Sequence, residues 1–173
     1  DGVREKNWDE AVTVPLTIRQ GAEAHALVSL MWDQEYLYVL AQVRDTVLDQ
    51  SASQAHEQDS LEIFIDENNH KSDAYEEDDK QYRINYMAEQ SYNGKKCTAE
   101  NIQSAAKTTE DGYIIEAAIK WTDIKPVGNM EIGIELQIND AADGKRIGTL
   151  NWYDETGQGW SAPGVFGTAV LED

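Results

Sequence analysis

The sequence predicts an all-β fold: a single-domain antiparallel β-sandwich of jelly-roll type. Two observations carry this. Apolar and polar residues alternate with period two in seven segments, each bounded by turn-forming residues. The chain has 173 residues, the length of one domain, and about ten short strands in one domain close into a sandwich or barrel.

Taken in chain order, residues 5–11 read as a helical turn and 12–18 as a weak strand. Residues 24–32 (AHALVSLMW) and 36–45 (YLYVLAQVRD) alternate clearly, with Asp33-Gln34-Glu35 as a tight connection between them. Strands follow at 60–66 (SLEIFID) and 81–88 (QYRINYMA), and Asn93-Gly94 is a hairpin turn signal. A weaker strand at 101–108 precedes a strong one at 112–121 (GYIIEAAIKW), and 121–125 reads as a second helical turn. Residues 131–139 (EIGIELQIN) and 145–153 (KRIGTLNWY) are strands, and 166–171 is a last, weak one. No repeat or linker interrupts the series, so residues 1–173 are taken as one module.

Acidic residues number 33 against 14 basic ones, a net charge of −19. That balance excludes nucleic acid and anionic membrane surfaces as partners, since both attract basic proteins. Neutral ligands, cationic partners and divalent metals remain. No apolar run reaches the ~20 residues of a membrane-spanning helix. The first residue is Asp rather than Met and no leader is visible, so the chain reads as a mature or excised segment of something longer. Cys97 is the single cysteine, so no intrachain disulfide forms.

Alternation also assigns faces. In 60–66 the apolar set is Leu61, Ile63 and Ile65, opposed by Ser60, Glu62, Phe64 and Asp66. In 81–87, Tyr82, Ile84 and Tyr86 oppose Gln81, Arg83, Asn85 and Met87. In 132–139 the isoleucines and Leu136 oppose Gly133, Glu135, Gln137 and Asn139. Three strands thus present planar amide and guanidinium groups away from the core: Arg83 with Asn85, Gln137 with Asn139, and Glu62 beside them. Such groups hydrogen-bond neighbouring hydroxyls in pairs, the pattern along the edge of a sugar ring. A sugar also has apolar C–H faces. Trp160, in the loop ETGQGWSAPG (155–164), is placed to cover one of them. Trp8, Trp32, Trp121 and Trp152 flank or occupy strands and are assigned to packing.

Several stretches resemble the family 9 carbohydrate-binding modules. They are HEQDSLEIFIDENNHK (56–71), YEEDDKQYRINYMAEQ (75–90), GYIIEAAIKW (112–121), IGIELQINDA (132–141) and WYDETGQGWSAPGVFG (152–167). The resemblance implies a calcium-binding β-sandwich without catalytic activity, attached to a secreted plant-cell-wall xylanase or other glycoside hydrolase. It also implies binding of the reducing-end sugars of glucan and xylan chains, and of small oligosaccharides, held between two tryptophans. Carried over residue by residue, the second clamp tryptophan is Trp160, and Glu62, Arg83, Asn85 and Gln137 are the polar contacts. The first clamp position falls on His56, whose imidazole buries less apolar area than an indole. Where the family has asparagine shortly before the second tryptophan, this chain has Gly157 and Gln158, so Gln158 is the further contact. If His56 lies elsewhere, Tyr92 or Tyr153 is the alternative cover for the second sugar face.

Residues 66–79 (DENNHKSDAYEEDD) are dense in oxygen ligands, and calcium takes six to eight oxygens. Asp66, Asn68 and Asn69 at a strand end, with Asp78 and Asp79 starting the next, form one candidate calcium site. Asp45 and Asp59 are further candidates. His25, His56 and His70 lack zinc-ligand spacing. Two other readings compete with this one. A jelly-roll glycosidase would use Glu62 and Glu135 as paired carboxylates, although Arg83 beside Glu62 opposes the raised pKa an acid needs. A haem-binding sandwich would use Met87, for which no histidine partner is evident.

Overall fold

The computed structural model describes residues 1–172; Asp173, the end of the assigned module, lies outside them. Strands are numbered in chain order. One sheet runs β1 (Val12–Pro15), β3 (His25–Trp32), β4 (Tyr36–Arg44), β9 (Gly112–Lys120), β8 (Ile102–Thr108). The other runs β2 (Ile18–Gln20), β11 (Lys145–Asn151), β10 (Glu131–Ala142), β5 (Ser60–Asp66), β6 (Asp79–Asn85), β7 (Gln90–Asn93). A last strand, β12 (Gly167–Val170), pairs with the first part of β10, while β11 pairs with the second part along the same edge. The named strands all pair antiparallel, and the helical content is confined to 3-10 turns.

The core lies between the sheets and is filled by the residues that alternation selects. Leu37, Val39, Ala41, Val43, Ile115, Ala117 and Ile119 come from the first sheet. Leu61, Ile63, Ile65, Tyr82, Ile84, Ile134, Leu136 and Ile138 come from the second, and all are buried. Trp8 and Trp121 are buried, and Trp32 and Trp152 pack against the core from its margins.

Four differences from the sequence reading have physical causes. The weak strand 12–18 is two strands, one in each sheet. The chain changes sheets after Pro15, where the Leu16 N–H bonds Ala26 O and the Thr17 N–H bonds Asn151 O. Residues 90–93 form an edge strand without apolar alternation, because neither of its faces is deeply covered. Asn93-Gly94 closes no hairpin. Gly94, with φ +114°, lets the chain leave β7 where a Cβ would stand 2.4 Å from Asp79 O. Finally, 121–125 is not helical. The Glu67 carboxylate collects the N–H groups of Thr122, Asp123 and Ile124 at 3.1, 2.7 and 3.0 Å. The turn at 5–11 does form, as a 3-10 turn over Lys6–Glu10.

Glu67 also receives a buried cation. Lys80 continues the Tyr82, Ile84 row of β6 and is fully buried. Its Nζ lies 2.8 Å from Glu67 Oε1, 3.3 Å from Asp123 Oδ2 and 2.7 Å from Asp78 O. Removing one member of a buried pair strands the other in low dielectric. Lys80→Met is therefore expected to cost about 3–5 kcal/mol. The double variant with Glu67→Gln should recover part of that loss, read from urea midpoints. A single variant within 1 kcal/mol of wild type, on the order of a surface pair, would show that the pair contributes no more than an exposed one.

Candidate functional site

Register on the outer face of the second sheet assembles the site. Glu62 is directly opposite both Arg83 and Gln137, Phe64 is opposite Gln81, and Ser60 is opposite Asn139. Directly opposed side chains lie on one face and touch. The result is a cleft of about 490 Å³ with Phe64 in its lining and planar polar groups around it. Glu62 organises them. Its Oε1 accepts from Arg83 Nε at 2.7 Å and Asn139 Nδ2 at 2.6 Å, and its Oε2 accepts from Gln81 Nε2. Arg83 also donates to Ser91 Oγ at 2.9 Å. Gln137 donates to Asn139 Oδ1 at 2.8 Å and accepts from Asn151 Nδ2 at 3.1 Å. The orientations of the amides and the guanidinium are thus set before any ligand arrives.

Trp160 is 62% exposed and lines the same cleft. Its loop has no regular structure, so its backbone groups need partners elsewhere. Two carboxylates supply them. Glu135, fully buried, lies in the gap of β10 between its pairings with β12 and β11. It accepts the N–H groups of Leu136, Trp152, Tyr153 and Asp154 at 3.0, 2.8, 2.9 and 2.7 Å. Asp154 then accepts those of Thr156, Gly157 and Gly159 at 2.7, 3.1 and 2.9 Å. Gly157 takes φ +72°, the left-handed conformation that glycine permits. Tyr75 OH holds Gly159 O at 2.8 Å, and Asn93 Nδ2 holds Trp160 O at 3.3 Å.

Of the residues singled out in the sequence, Trp160, His56, Glu62, Arg83 and Gln137 line this cleft. His56 comes from a 3-10 turn over Ala55–Glu57. Asn85 and Gln158 do not line it. Asn85 is the last residue of β6, buried, and its side chain is taken up by the turn that follows. Its Oδ1 accepts the N–H of Met87 and of Glu89, and its Nδ2 donates to Gln58 and Glu89. It borders a smaller depression of about 110 Å³ that shares Arg83 with the cleft. Gln158 lies at the loop surface, its carbonyl accepting from Ser161 and Ala162. Tyr92 shares the core-side face with Tyr82, ring centroids 6.0 Å apart, and Tyr153 stands over Gly167 near Lys71; neither lines the cleft.

Gln20, Gln81, Arg146, Thr149 and Thr156 line the cleft without having been singled out for it. Arg146 has a definite cause. Thr149 and Asn151 face outward on β11, so strict alternation sends residue 146 inward. The register slips between Asp140 and Ala141, leaving Ile147 extra and Arg146 opposite Ala141. Such a bulge re-aims every side chain beyond it.

The glycosidase reading fails on access. Burial pushes the Glu135 carboxyl up to about 7 against the downward pull of its backbone bonds, which is acid-like. Yet both of its oxygens are occupied by backbone N–H groups beneath the loop, and Glu62 has no open partner carboxylate. The haem reading fails because Met87 is exposed on a turn.

Apart from a more exposed group of Asp1, Glu5 and Glu116, the acidic residues gather in two places among the described residues. One carboxylate oxygen each from Asp66, Asp78 and Asp79 lie within 4.8 Å of one another, as do oxygens from Asp45, Asp59 and Asp140. Asp140 was not among the sequence candidates; it continues the inward row of Ile134, Leu136 and Ile138 on β10, as the next member of that row after the last apolar one. Asn68 Oδ1 accepts the His70 N–H at 2.7 Å, and Asn69 Nδ2 points to Glu131 at 3.4 Å, beside the first group.

A β-sandwich with an exposed indole over a pre-oriented polar cleft, and with its second candidate acid sealed away, is a carbohydrate-binding module rather than a hydrolase. Residues 1–173 match the family model described as "Carbohydrate family 9 binding domain-like". The chain belongs to that family, the family 9 carbohydrate-binding modules. It is 52% identical over 149 residues to endo-1,4-beta-xylanase A of Thermotoga neapolitana, covering 86% of this chain and 14% of that protein. It is 42% identical over 174 residues to exoglucanase XynX of Acetivibrio thermocellus, covering 99% of this chain and 16% of that protein. The chain therefore spans only 14–16% of the length of these relatives. Among solved structures it is similar to a family 9 module from Caldicellulosiruptor kristjanssonii in complex with cellotriose. The TM-score is 0.94 at 34% identity, covering 99% of this chain and 88% of that one. The glucose complex of a family 9 module from the same organism gives a TM-score of 0.93.

Glu135 yields a pH test. Its folded pKa, about 7, stands above the usual 4.5, so the folded state holds the extra proton between those values. Stability from this group is present below pH 4.5 and is lost as pH rises towards 7. Glu135→Gln sets an amide NH₂ against N–H donors, at a cost of about 1–3 kcal/mol. It should also flatten the stability slope across that window. A slope unchanged in the variant would assign the proton to another group.

Proposed function

We propose that this module binds the terminal sugar of cell-wall glucans and xylans, and small oligosaccharides, in the Trp160 cleft. The observation that carries the reading is the 62%-exposed indole beside a cleft whose polar groups are already fixed by Glu62. The C–H face of a pyranose stacks on the indole, a gain of about 25 cal/mol for each Å² of apolar surface covered. Arg83 and Gln137 meet its hydroxyls with groups that pay little ordering entropy. His56 offers a smaller second face. The solved relatives with cellotriose and glucose support this choice of ligand. The family resemblance supports the reducing end as the terminus bound, and the xylanase relatives support attachment to a secreted glycoside hydrolase. Among the described residues no helix is long and apolar enough to cross a membrane.

Calorimetric titration with glucose, cellobiose and xylobiose, and with their end-reduced forms, is the test. Cellobiose should bind and its alditol should not, because reduction opens the terminal ring. Equal binding of both removes the reducing-end assignment. Trp160→Ala should abolish measurable binding and leave the melting temperature nearly unchanged. A collapse in melting temperature would make the indole a structural cap.

Structural calcium belongs to the same proposal. The donors are all oxygens, as a hard cation requires. In the Asp45, Asp59, Asp140 group, Asp45 Oδ2 is buried without a hydrogen-bond partner, and Asp59 and Asp140 are buried beside it. Asp66, Asp78 and Asp79 are likewise buried. A cation that binds only the folded state stabilises it by mass action. Thorough chelation should lower the melting temperature by several degrees, and calcium alone should restore it. An unchanged melting curve removes calcium from the proposal.

A further inference from the structure

We propose that the cleft favours a sugar carrying a carboxylate, glucuronic acid, over its neutral counterpart glucose, and that Arg146 is the residue that decides it. The inference rests on the reading of the cleft as a sugar site and concerns its selectivity.

The distribution of charge leads there. Acidic residues outnumber basic ones 33 to 14, and several of the basic ones are paired: Arg4 with Asp9, Arg44 with Asp111, Lys80 with Glu67, Arg83 with Glu62. The cleft reverses the balance. Two arginines line it, against the single carboxylate of Glu62. That carboxylate is 1% exposed, and three donors meet it: Gln81, Arg83 and Asn139. Glu62 and Arg83 therefore cancel, and Glu62 turns little charge towards a ligand.

Arg146 is the uncompensated charge. Among the described residues no carboxylate lies within ion-pair distance of it. Its Nη1 donates to Asn139 Oδ1 at 3.0 Å, and Asn139 is itself held by Ser60 and Glu62. The guanidinium is oriented by the buried network while most of its five N–H donors stay available. A carboxylate is the acceptor that such a fork fits, through two parallel charge-assisted bonds. An intact pyranose ring is also required, because only a closed ring presents a C–H face to Trp160. The negative charge of the rest of the protein is screened over about 8–10 Å at ordinary ionic strength, so contact inside the cleft prevails.

The experiment is calorimetric titration of the module with glucose and with glucuronate, at low salt and again in high salt. Glucuronate should bind on the order of ten-fold tighter than glucose at low salt, and the ratio should shrink as salt rises. Arg146→Gln keeps a planar amide and should bring the ratio close to one. Arg146→Lys keeps the charge without the fork and should leave an intermediate ratio. Melting curves of both variants confirm that they are folded. If glucose binds and glucuronate binds equally or more weakly, the inference is overturned while the sugar reading stands. If the preference survives in Arg146→Gln, Arg146 is not its source. If neither sugar binds, the reading of the cleft itself fails.

Discussion

Glu135 turns its carboxylate from the outer face of the second sheet into the base of the Trp160 loop, where among the described residues no lysine or arginine pairs with it and four peptide N–H groups converge on it instead. The arrangement resolves two problems at once. A buried anion is costly unless it is hydrogen-bonded, and an irregular loop is costly unless its N–H groups find acceptors. Each supplies what the other lacks. The carboxylate occupies the gap in β10 where neither β11 nor β12 can pair, so the edge of the strand is not left bare. Asp154 repeats the arrangement one step further along, and Trp160 stands at the end of the series.

The same principle accounts for much of the acidic excess. Asp140 accepts from Glu23 and Ala24, Asp59 from Asp49 and Ala141, and Glu67 from the 122–124 turn. In each case a carboxylate on or beside a strand fixes a segment that the sheet cannot pair. Buried carboxylates satisfied in this way act as local templates for loops, and a sandwich that works through its loops needs many of them. Among the described residues two of the buried carboxylates get a direct cationic partner: Glu67 from Lys80 and Glu62 from Arg83. At the first a core-facing end of a sheet is closed; at the second the floor of the cleft is set.

How far the sequence could be read follows from which interactions leave a periodic trace. The inward rows of β4, β5, β9 and β10 were legible because core burial imposes period two. The polar face was legible for the same reason, and five of seven carbohydrate-contact residues line one cleft. Asn85 misled because its parity is right but its amide is consumed by its own turn. Arg146 escaped because a bulge in β11 breaks parity, and Asp140 because a carboxylate on the inward row carries no apolar signal. The strand at 90–93 and the switch of sheets at Leu16 escaped because edge pairing and sheet crossing depend on partners far away in the chain. Glu135 was legible as a member of the polar face but not as a template, since its donors come from residues 152–154, beyond the next strand.

The bulge between Asp140 and Ala141 has a consequence for exchanging parts between modules of this kind. The β10–β11 hairpin turns at Asp143 and Gly144, both with positive φ, and Gly144 N–H is anchored on Asp49 in the stretch that also carries Asp59 and His56. Asp140 keeps the inward parity of β10 and points into an acidic cluster, and the slipped register just beyond it turns Arg146 of β11 into the cleft. The hairpin is therefore not an independent cassette. A graft that alters the β11 side of the hairpin by one residue would turn Arg146 out of the cleft and displace the Gly144 N–H from Asp49 in the same step. Selectivity in this scaffold is safer to vary by substituting side chains at fixed register than by swapping loops.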